Sequence, residues 1–121
     1  MLKLNVTKTQ KAVIDALEEI KAKDIEIFNV SKLTSLFDRV IIASADSTRQ
    51  VKALARNVQD KLKQAGAHIV GIEGEQMSEW ILIDLGIIVV HIMQPAIRSY
   101  YNLEELWGIK PEKKTRIKKE R

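Results

Sequence analysis

Hydrophobic residues recur every three or four positions in two stretches of the chain, a spacing that predicts amphipathic helices. The first helix is predicted from about Thr9 to Ala22, with an apolar face formed by Val13, Leu17 and Ile20. Thr7 and Gln10 have the spacing of a capping box, and Thr9 is a rival cap. The pattern therefore predicts that this helix begins at one of the two threonines.

The second helix has clearer limits. Ser47 and Gln50 form another capping box, and Gly66 follows the last apolar position, where a glycine commonly ends a helix. The hydrophobic positions between them share one face: Val51, Leu54, Ala55, Val58 and Leu62. We predict a helix that packs this face against a sheet.

Five further segments have the composition or the alternation of β-strands. They are Asp24–Asn29, Phe37–Ala43, Ala67–Ile72, Trp80–Asp84 and Ile87–Met93. Polar and apolar residues alternate in the first, which predicts one buried face, whereas an aliphatic run in the second predicts burial on both faces. The last two strands are separated only by a tight turn that ends at Gly86, so we expect an antiparallel hairpin.

Two short helices, Pro95–Tyr101 and Leu103–Trp107, complete the predicted order α-β-β-α-β-β-β-α-α. This order predicts the α/β class, with a single mixed β-sheet of about five strands flanked by helices. The chain has 121 residues, 45% of them hydrophobic and 30% charged, which predicts one globular domain, over residues 1–108. No cysteine is present, which excludes disulfides, thiolate catalysis and zinc–thiolate sites. With neither a membrane-length apolar stretch nor a secretory signal, we expect a cytoplasmic protein.

Basic residues are concentrated in residues 109–121, which we expect to form a flexible tail. The whole chain has a net charge of +4, yet residues 110–121 contain seven Lys or Arg and two Glu, so the rest is almost neutral. Such a tail suits salt-sensitive contact with RNA phosphates, or it is simply a solvated end that keeps the protein soluble. The residues that would contact RNA are Lys113, Lys114, Arg116, Lys118 and Lys119.

The side chains that could support catalysis do not form a complete site. Asp38 and Asp84 lie in or beside strands, but each lacks the second acid, two residues away, that a metal-dependent phosphoryl-transfer site needs. Asp84 and His91 lie on the two arms of the hairpin with no serine or cysteine nucleophile nearby. An anion could bind at the start of the second helix near Ser44, Ser47, Thr48 and Arg49. Helix capping explains Ser47 without a ligand, and we predict no catalytic residue, metal or cofactor.

The hairpin offers a more informative surface. Alternation places the aliphatic side chains of both strands on one face, under the helices. The other face combines aromatic, apolar and charged residues: Trp80, Leu82, Asp84, Val89, His91 and Met93. Two interpretations fit this mixed face, namely an exposed protein–protein hot spot, or a second buried face covered by the C-terminal helices.

An ordered series of residues runs through these elements. It comprises Asp38, Ile41, Ile42, Ser47, Arg49, Gln50, Val51, Glu73, Gly74, Trp80, Asp84, Gly86, Val90 and His91, and closes with RSYYNLEELW at residues 98–107. Because of this series, the segment from about Lys8 to Gly108 resembles the ribosomal silencing factor family RsfS, also called Iojap. The resemblance implies a nucleotidyltransferase-like fold without enzymatic activity. It also implies binding to the large ribosomal subunit through its protein fourteen, which hinders joining of the small subunit when nutrients are short.

The resemblance favours the hot-spot interpretation of the hairpin face. The residues that it implies for contact with the ribosomal protein are Trp80, Leu82, Asp84, His91, Met93 and Arg98. It further implies a homodimer when the protein is free, and a role in large-subunit maturation. Members commonly have an acid directly after the turn glycine, where this chain has Ile87, so we expect added apolar surface near the site. The alternatives are a large-subunit assembly or RNA-binding adaptor and, less favoured, a nucleotide-binding enzyme.

Overall fold

A computed structural model describes residues 5–101 and 113–115 of the chain. In chain order the elements are α1 (Val6–Glu19), β1 (Lys23–Asn29), β2 (Arg39–Ser44), α2 (Thr48–Gln64), β3 (Gly71–Glu73), β4 (Trp80–Asp84), β5 (Ile88–Met93), α3 (Pro95–Tyr101) and β6 (Lys113–Thr115). The strands form one sheet in the order β3-β4-β5-β2-β1-β6. Only the β2–β5 pair is parallel among these neighbours, so the predicted single mixed sheet is confirmed.

One face of the sheet, called the inner face, packs against α1 and α2. Its core combines the aliphatic side chains of β4 and β5, such as Ile81 and Val90, with the apolar stripes of both helices. All five predicted stripe residues of α2 are buried, and the predicted Ser47 cap is confirmed because its side chain accepts from the amide of Gln50. The apolar faces of the helices, which repeat every 3.6 residues, therefore pack in one core with the apolar faces of the strands, which repeat every two residues.

The opposite face, called the outer face, carries a second and smaller core. Its fully buried members are Phe28, Val30, Val40, Ile42 and Met93. They come from β1, β2, β5 and the segment after β1, and three partly buried side chains, Phe37, Trp80 and Ile97, pack against them. Because Ile97 belongs to α3 and Phe37 to the β1–β2 connection, these two segments cover the central part of the outer face.

Several predicted details were wrong. The cap of α1 is Asn5, whose side chain accepts from the amide of Lys8, and the helix begins before both candidate threonines. Residues 25–28 of β1 are all buried, including Glu26, so this strand is covered on both faces and not half-buried. The third strand has only three residues. The predicted apolar face starts at Val13 and does not include Val6, the first residue of the helix, so it does not point to Asn5 as the cap.

The sheet also has a strand that the pattern did not predict. Lys113–Thr115 pairs antiparallel with β1 at the edge of the sheet, within the residues that we expected to form a tail. The last predicted helix, Leu103–Trp107, lies outside the described residues, and so do Arg116, Lys118 and Lys119. Of the helices in residues 5–101, none has the length and apolarity to cross a membrane.

Candidate functional site

The hairpin register confirms which side chains share the outer face. Across the β4–β5 ladder, Trp80 lies opposite Met93, Leu82 opposite His91, and Asp84 opposite Val89. Directly opposed residues of an antiparallel pair point to the same side. The two aliphatic sets lie on the inner face, as predicted from alternation.

Burial divides this mixed set into two groups. Met93 has no solvent exposure and belongs to the outer core, so its predicted place on an exposed surface was wrong. Val89 is also buried. Trp80, Leu82, Asp84 and His91 retain partial exposure. We call Trp80, Leu82 and His91 together the hairpin patch, since they are the side chains of this face that present aromatic or apolar surface to solvent.

A direct hydrogen bond holds the patch in one arrangement. The indole Nε1 of Trp80 donates to Nδ1 of His91 over 2.9 Å, and the two ring centroids lie 5.8 Å apart with the planes tilted by 46°. Burial lowers the pKa of His91 to about 4, because charging a poorly solvated ring is unfavourable. At neutral pH the imidazole is therefore uncharged and accepts the indole hydrogen.

Gly74 sets the position at which β4 begins, a role that its place in the ordered series of residues does not predict. Its φ is +89°, and a Cβ at this position would lie 2.1 Å from the carbonyl oxygen of Trp80. No other residue fits such an approach without moving the backbone. In the same loop, Ser78 donates from Oγ to the carbonyl of Glu75 over 2.7 Å. The loop is thus packed directly against the residue that carries the indole.

Acidic side chains border the hairpin patch. Glu73 lies opposite Leu82 in the β3–β4 ladder, and Asp84 lies two positions after Leu82 at the end of β4. The carboxylate of Asp84 accepts from the amide of Gly86 over 2.8 Å, so this side chain stabilises the turn at the end of β4. The patch is therefore an apolar centre with negative charge at its margin.

Arg98 does not present its side chain to the surface, although the resemblance implied a contact role. Its guanidinium forms a 2.8 Å ion pair with Glu26, and the whole side chain is only 12% exposed. It also donates to Ser44 Oγ and to the carbonyl of Asp24. The hydrogen-bonding capacity of Arg98 is directed inward, where it holds α3 against β1 and β2.

The candidate catalytic pairs are not assembled. Asp38 is adjacent to β2 and Asp84 belongs to β4, which are separated by β5, so the strands are about 10 Å apart. His91 is paired with Trp80 and faces Leu82, not Asp84. At the suggested anion site, Ser47 caps α2 and Ser44 is buried against Arg98. Among residues 5–101 and 113–115, no group of three His, Asp or Glu side chains could hold a metal ion.

Ile87 also differs from expectation. It packs against the inner core, and its carbonyl accepts from the amide of Asp38 over 2.8 Å. The side chain therefore does not enlarge the hairpin patch, because it lies toward the other face of the sheet.

Comparison with known proteins gives the family. The family model described as "Ribosomal silencing factor during starvation" matches residues 3–121. The chain belongs to the ribosomal silencing factor (RsfS) family. It is 56% identical over 105 residues to ribosomal silencing factor RsfS of Chromobacterium violaceum, covering 87% of this chain and 86% of that protein.

The RsfS fold is also shared with a solved structure. A crystal structure of a Chromobacterium violaceum protein superposes with a TM-score of 0.85 at 55% identity, covering 90% of this chain and 92% of that one. A more distant relative, named "Mitochondrial assembly of ribosomal large subunit protein 1" in Mus musculus, is 31% identical over 101 residues, which span 81% of this chain and 44% of the mouse protein. RsfS proteins are ribosome-associated regulators and not known enzymes, so membership supports a role in ribosomal silencing.

Proposed function

We propose that this RsfS protein binds the large ribosomal subunit by docking its hairpin patch on large-subunit protein fourteen, and that it thereby blocks joining of the small subunit. Translation would then fall when nutrients are short. The observation that carries the proposal is the partly exposed Trp80 beside Leu82 and His91, held by a hydrogen bond on a regular hairpin. Aromatic side chains at the centre of a contact are the ones that contribute most binding energy.

The margin of the patch supports a basic partner. Glu73 and Asp84 place negative charge beside an apolar centre, and complementary charge favours both encounter and register between two proteins. A protein that contacts RNA carries basic side chains. The acidic margin of the patch therefore suits a basic ribosomal protein better than an acidic partner. The charge pattern therefore agrees with docking on the ribosome.

Steric exclusion requires only that the residues of the hairpin patch bind, and no catalytic chemistry. A docked domain fills volume that the small subunit would have to occupy, so only binding free energy is needed and no bond is made or broken. A contact of about 800 Å² per partner is typical of specific complexes. The hairpin patch and its acidic margin supply the centre and part of the rim of such a contact.

Cosedimentation with separated large subunits, small subunits and joined ribosomes tests the proposal. We expect the wild-type protein to bind large subunits alone, and Trp80→Ala to weaken this binding about 30-fold or more, which corresponds to an anchor worth about 2 kcal/mol. Lys52→Ala is the matched control, because Lys52 is exposed on α2, on the other side of the sheet. Circular dichroism would verify that both variants fold.

Three outcomes would contradict parts of the proposal. Unchanged binding by folded Trp80→Ala would remove the hairpin patch as the site. Failure of the wild-type protein to bind any ribosomal particle would remove the function. Bound protein that leaves the rate of subunit joining unchanged, measured by adding small subunits to preloaded large subunits, would remove the exclusion mechanism.

A role in large-subunit assembly is a second candidate, favoured by the name of the mouse relative. In this case the basic C-terminal residues, including Lys113 and Lys114, would contact ribosomal RNA. Replacing Arg116, Lys118 and Lys119 together by Gln should then weaken binding to large subunits and reduce its salt dependence. Unchanged salt dependence would show that these side chains make no phosphate contact.

We further propose that the free protein is a cytoplasmic homodimer. The cytoplasm is where a ribosome-binding regulator of this kind would act. Exposed apolar side chains outside the hairpin patch, Leu33 and Leu36 on the β1–β2 connection, are 52% and 77% exposed and support self-association. Sedimentation equilibrium of the wild-type protein and of Leu36→Ser tests this, and a monomeric wild-type protein would contradict it.

A further inference from the structure

The contact between Trp80 and His91 determines which imidazole nitrogen carries the hydrogen. An indole N–H can only donate, so Nδ1 of His91, 2.9 Å from it, must accept. A neutral imidazole has one protonated nitrogen, and the bond therefore places the hydrogen on Nε2. Since burial lowers the pKa of His91 to about 4, this neutral tautomer persists through the physiological range.

The Nε2–H group of His91 has no acceptor in the described part of the chain. Within residues 5–101 and 113–115, the ring makes its hydrogen bond to Trp80 alone, through Nδ1. Nε2 makes no hydrogen bond there, yet it is not one of the buried polar atoms without a partner, so it remains accessible to solvent. The side chain is partly exposed. In the free protein this hydrogen therefore donates to water.

The neighbours of His91 across the sheet are apolar. Leu82 lies directly opposite on β4 and Ile42 on β2. A partner that covers the patch must displace the water from Nε2–H, and a buried donor without an acceptor is costly. Shape and hydrophobicity alone are then insufficient in a partner, because it must also bring an oxygen to this position.

We propose that His91 is the specificity-determining residue of the hairpin patch, donating its Nε2–H to an amide or main-chain carbonyl oxygen on the docked protein. The inference rests on the proposed function, since it concerns the partner of that same patch. A carbonyl fits better than a carboxylate, because Glu73 and Asp84 border the patch and would repel a second negative charge. Trp80 then has two roles: it supplies apolar area, and it orients the donor.

Two substitutions at the same position separate these roles. The side-chain oxygen of His91→Asn can occupy the place of Nδ1 and accept from Trp80, but nothing replaces the outward donor. The longer side chain of His91→Gln can bring an amide N–H close to the place of Nε2. Against large ribosomal subunits, we expect His91→Asn to bind about tenfold more weakly than the wild-type protein, and His91→Gln to recover most of that loss.

The same experiment includes wild-type protein and Trp80→Ala, so that each failure can be assigned. No binding by the wild-type protein would overturn the proposed function and this inference together. Binding lost in Trp80→Ala but unchanged in His91→Asn would overturn this inference and leave the proposed function standing. Equal losses of binding in His91→Asn and His91→Gln would overturn it as well, because the outward N–H donor would then not determine the affinity.

A measurement on the wild-type protein provides an independent test if a variant fails to fold. Nitrogen-15 NMR correlation of the His91 ring distinguishes the protonated from the unprotonated nitrogen. We expect Nε2 to carry the hydrogen at pH 7, with Nδ1 shifted by the indole hydrogen bond. A hydrogen on Nδ1 would overturn the inference.

Discussion

The two halves of the outer sheet face have similar side chains and differ in what lies over them. Around β1 and β2, Phe28, Val40 and Ile42 have no solvent exposure, because Ile97 of α3 and Phe37 of the β1–β2 connection pack on them. Around β4, Trp80 and Leu82 remain partly exposed. Hydrophobic character therefore does not decide which half is core. The decisive factor is where the chain returns to cover the sheet. The same type of surface is part of the core in one half, and in the other half it is the partly exposed patch for which we propose a binding role.

The largest effect is expected in the covered half. Phe28→Ala should lower the free energy of unfolding by about 3–5 kcal/mol, since it removes a fully buried aromatic ring and leaves a cavity. Chemical denaturation would measure this. Leu36→Ala is the control, because its side chain is 77% exposed, and its effect should stay within about 0.5 kcal/mol. Similar values for the two variants would contradict the division of the face.

The ion pair under α3 should give the next largest effect. Arg98→Met removes the cation that faces Glu26, a carboxylate that is nearly excluded from solvent, and we expect a loss of about 3 kcal/mol in stability. Adding Glu26→Leu to Arg98→Met should recover part of this loss, because it also removes the buried carboxylate that the Arg98 cation faced. A double variant that is less stable than Arg98→Met would refute the view that the buried Glu26 carboxylate is costly once the Arg98 cation is removed.

In the exposed half, the Gly74 loop should matter less for stability. Gly74→Ala introduces a Cβ against the Trp80 carbonyl at a positive φ, with an expected cost of about 1–3 kcal/mol. The same strain should shift the indole, so tryptophan fluorescence and large-subunit binding should both change. Gly71→Ala, where a Cβ meets no atom within 4 Å, is the matched control. Unaltered fluorescence in Gly74→Ala would contradict a positioning role.

Acid should give the smallest effect, through His91. Its pKa is about 4 in the folded protein against 6.5 ordinarily, so between these values the unfolded chain binds a proton that the folded chain does not. Stability is therefore complete above pH 6.5 and falls as the pH drops toward 4. His91 can change the free energy of unfolding by at most about 1.4 kcal/mol per pH unit. The partial exposure of its ring makes the actual change smaller.

His91→Gln provides the control for the acid effect. Its stability should fall less than that of the wild-type protein between pH 7 and pH 5, while the contributions of the carboxylates remain common to both. Parallel pH profiles for the two proteins would show that the His91 ring is not buried enough to resist protonation.

Local patterns predicted those features that depend on neighbouring residues in the sequence. The hairpin faces followed from alternation, and the α2 cap followed from Ser47 and its spacing to Gln50. Features made by distant segments were not predicted. Alternation in the sequence places Glu26 on the solvent-facing side of β1, but in the fold it is buried and paired with Arg98, 72 positions later. Met93 has the same alternation as His91, and its burial depends on α3. The partner of the patch is suggested by the family resemblance and not by the pattern.

The parallel pairing of β5 with β2 also affects when the patch can exist. All of α2, β3 and β4 lie between these two strands in the chain, so β5 joins the sheet through contacts that are distant in sequence and slow to form. His91 is on β5, and the indole hydrogen bond needs both arms of the hairpin. A nascent chain still missing β5 therefore cannot present the hairpin patch, which makes this surface a late product of synthesis.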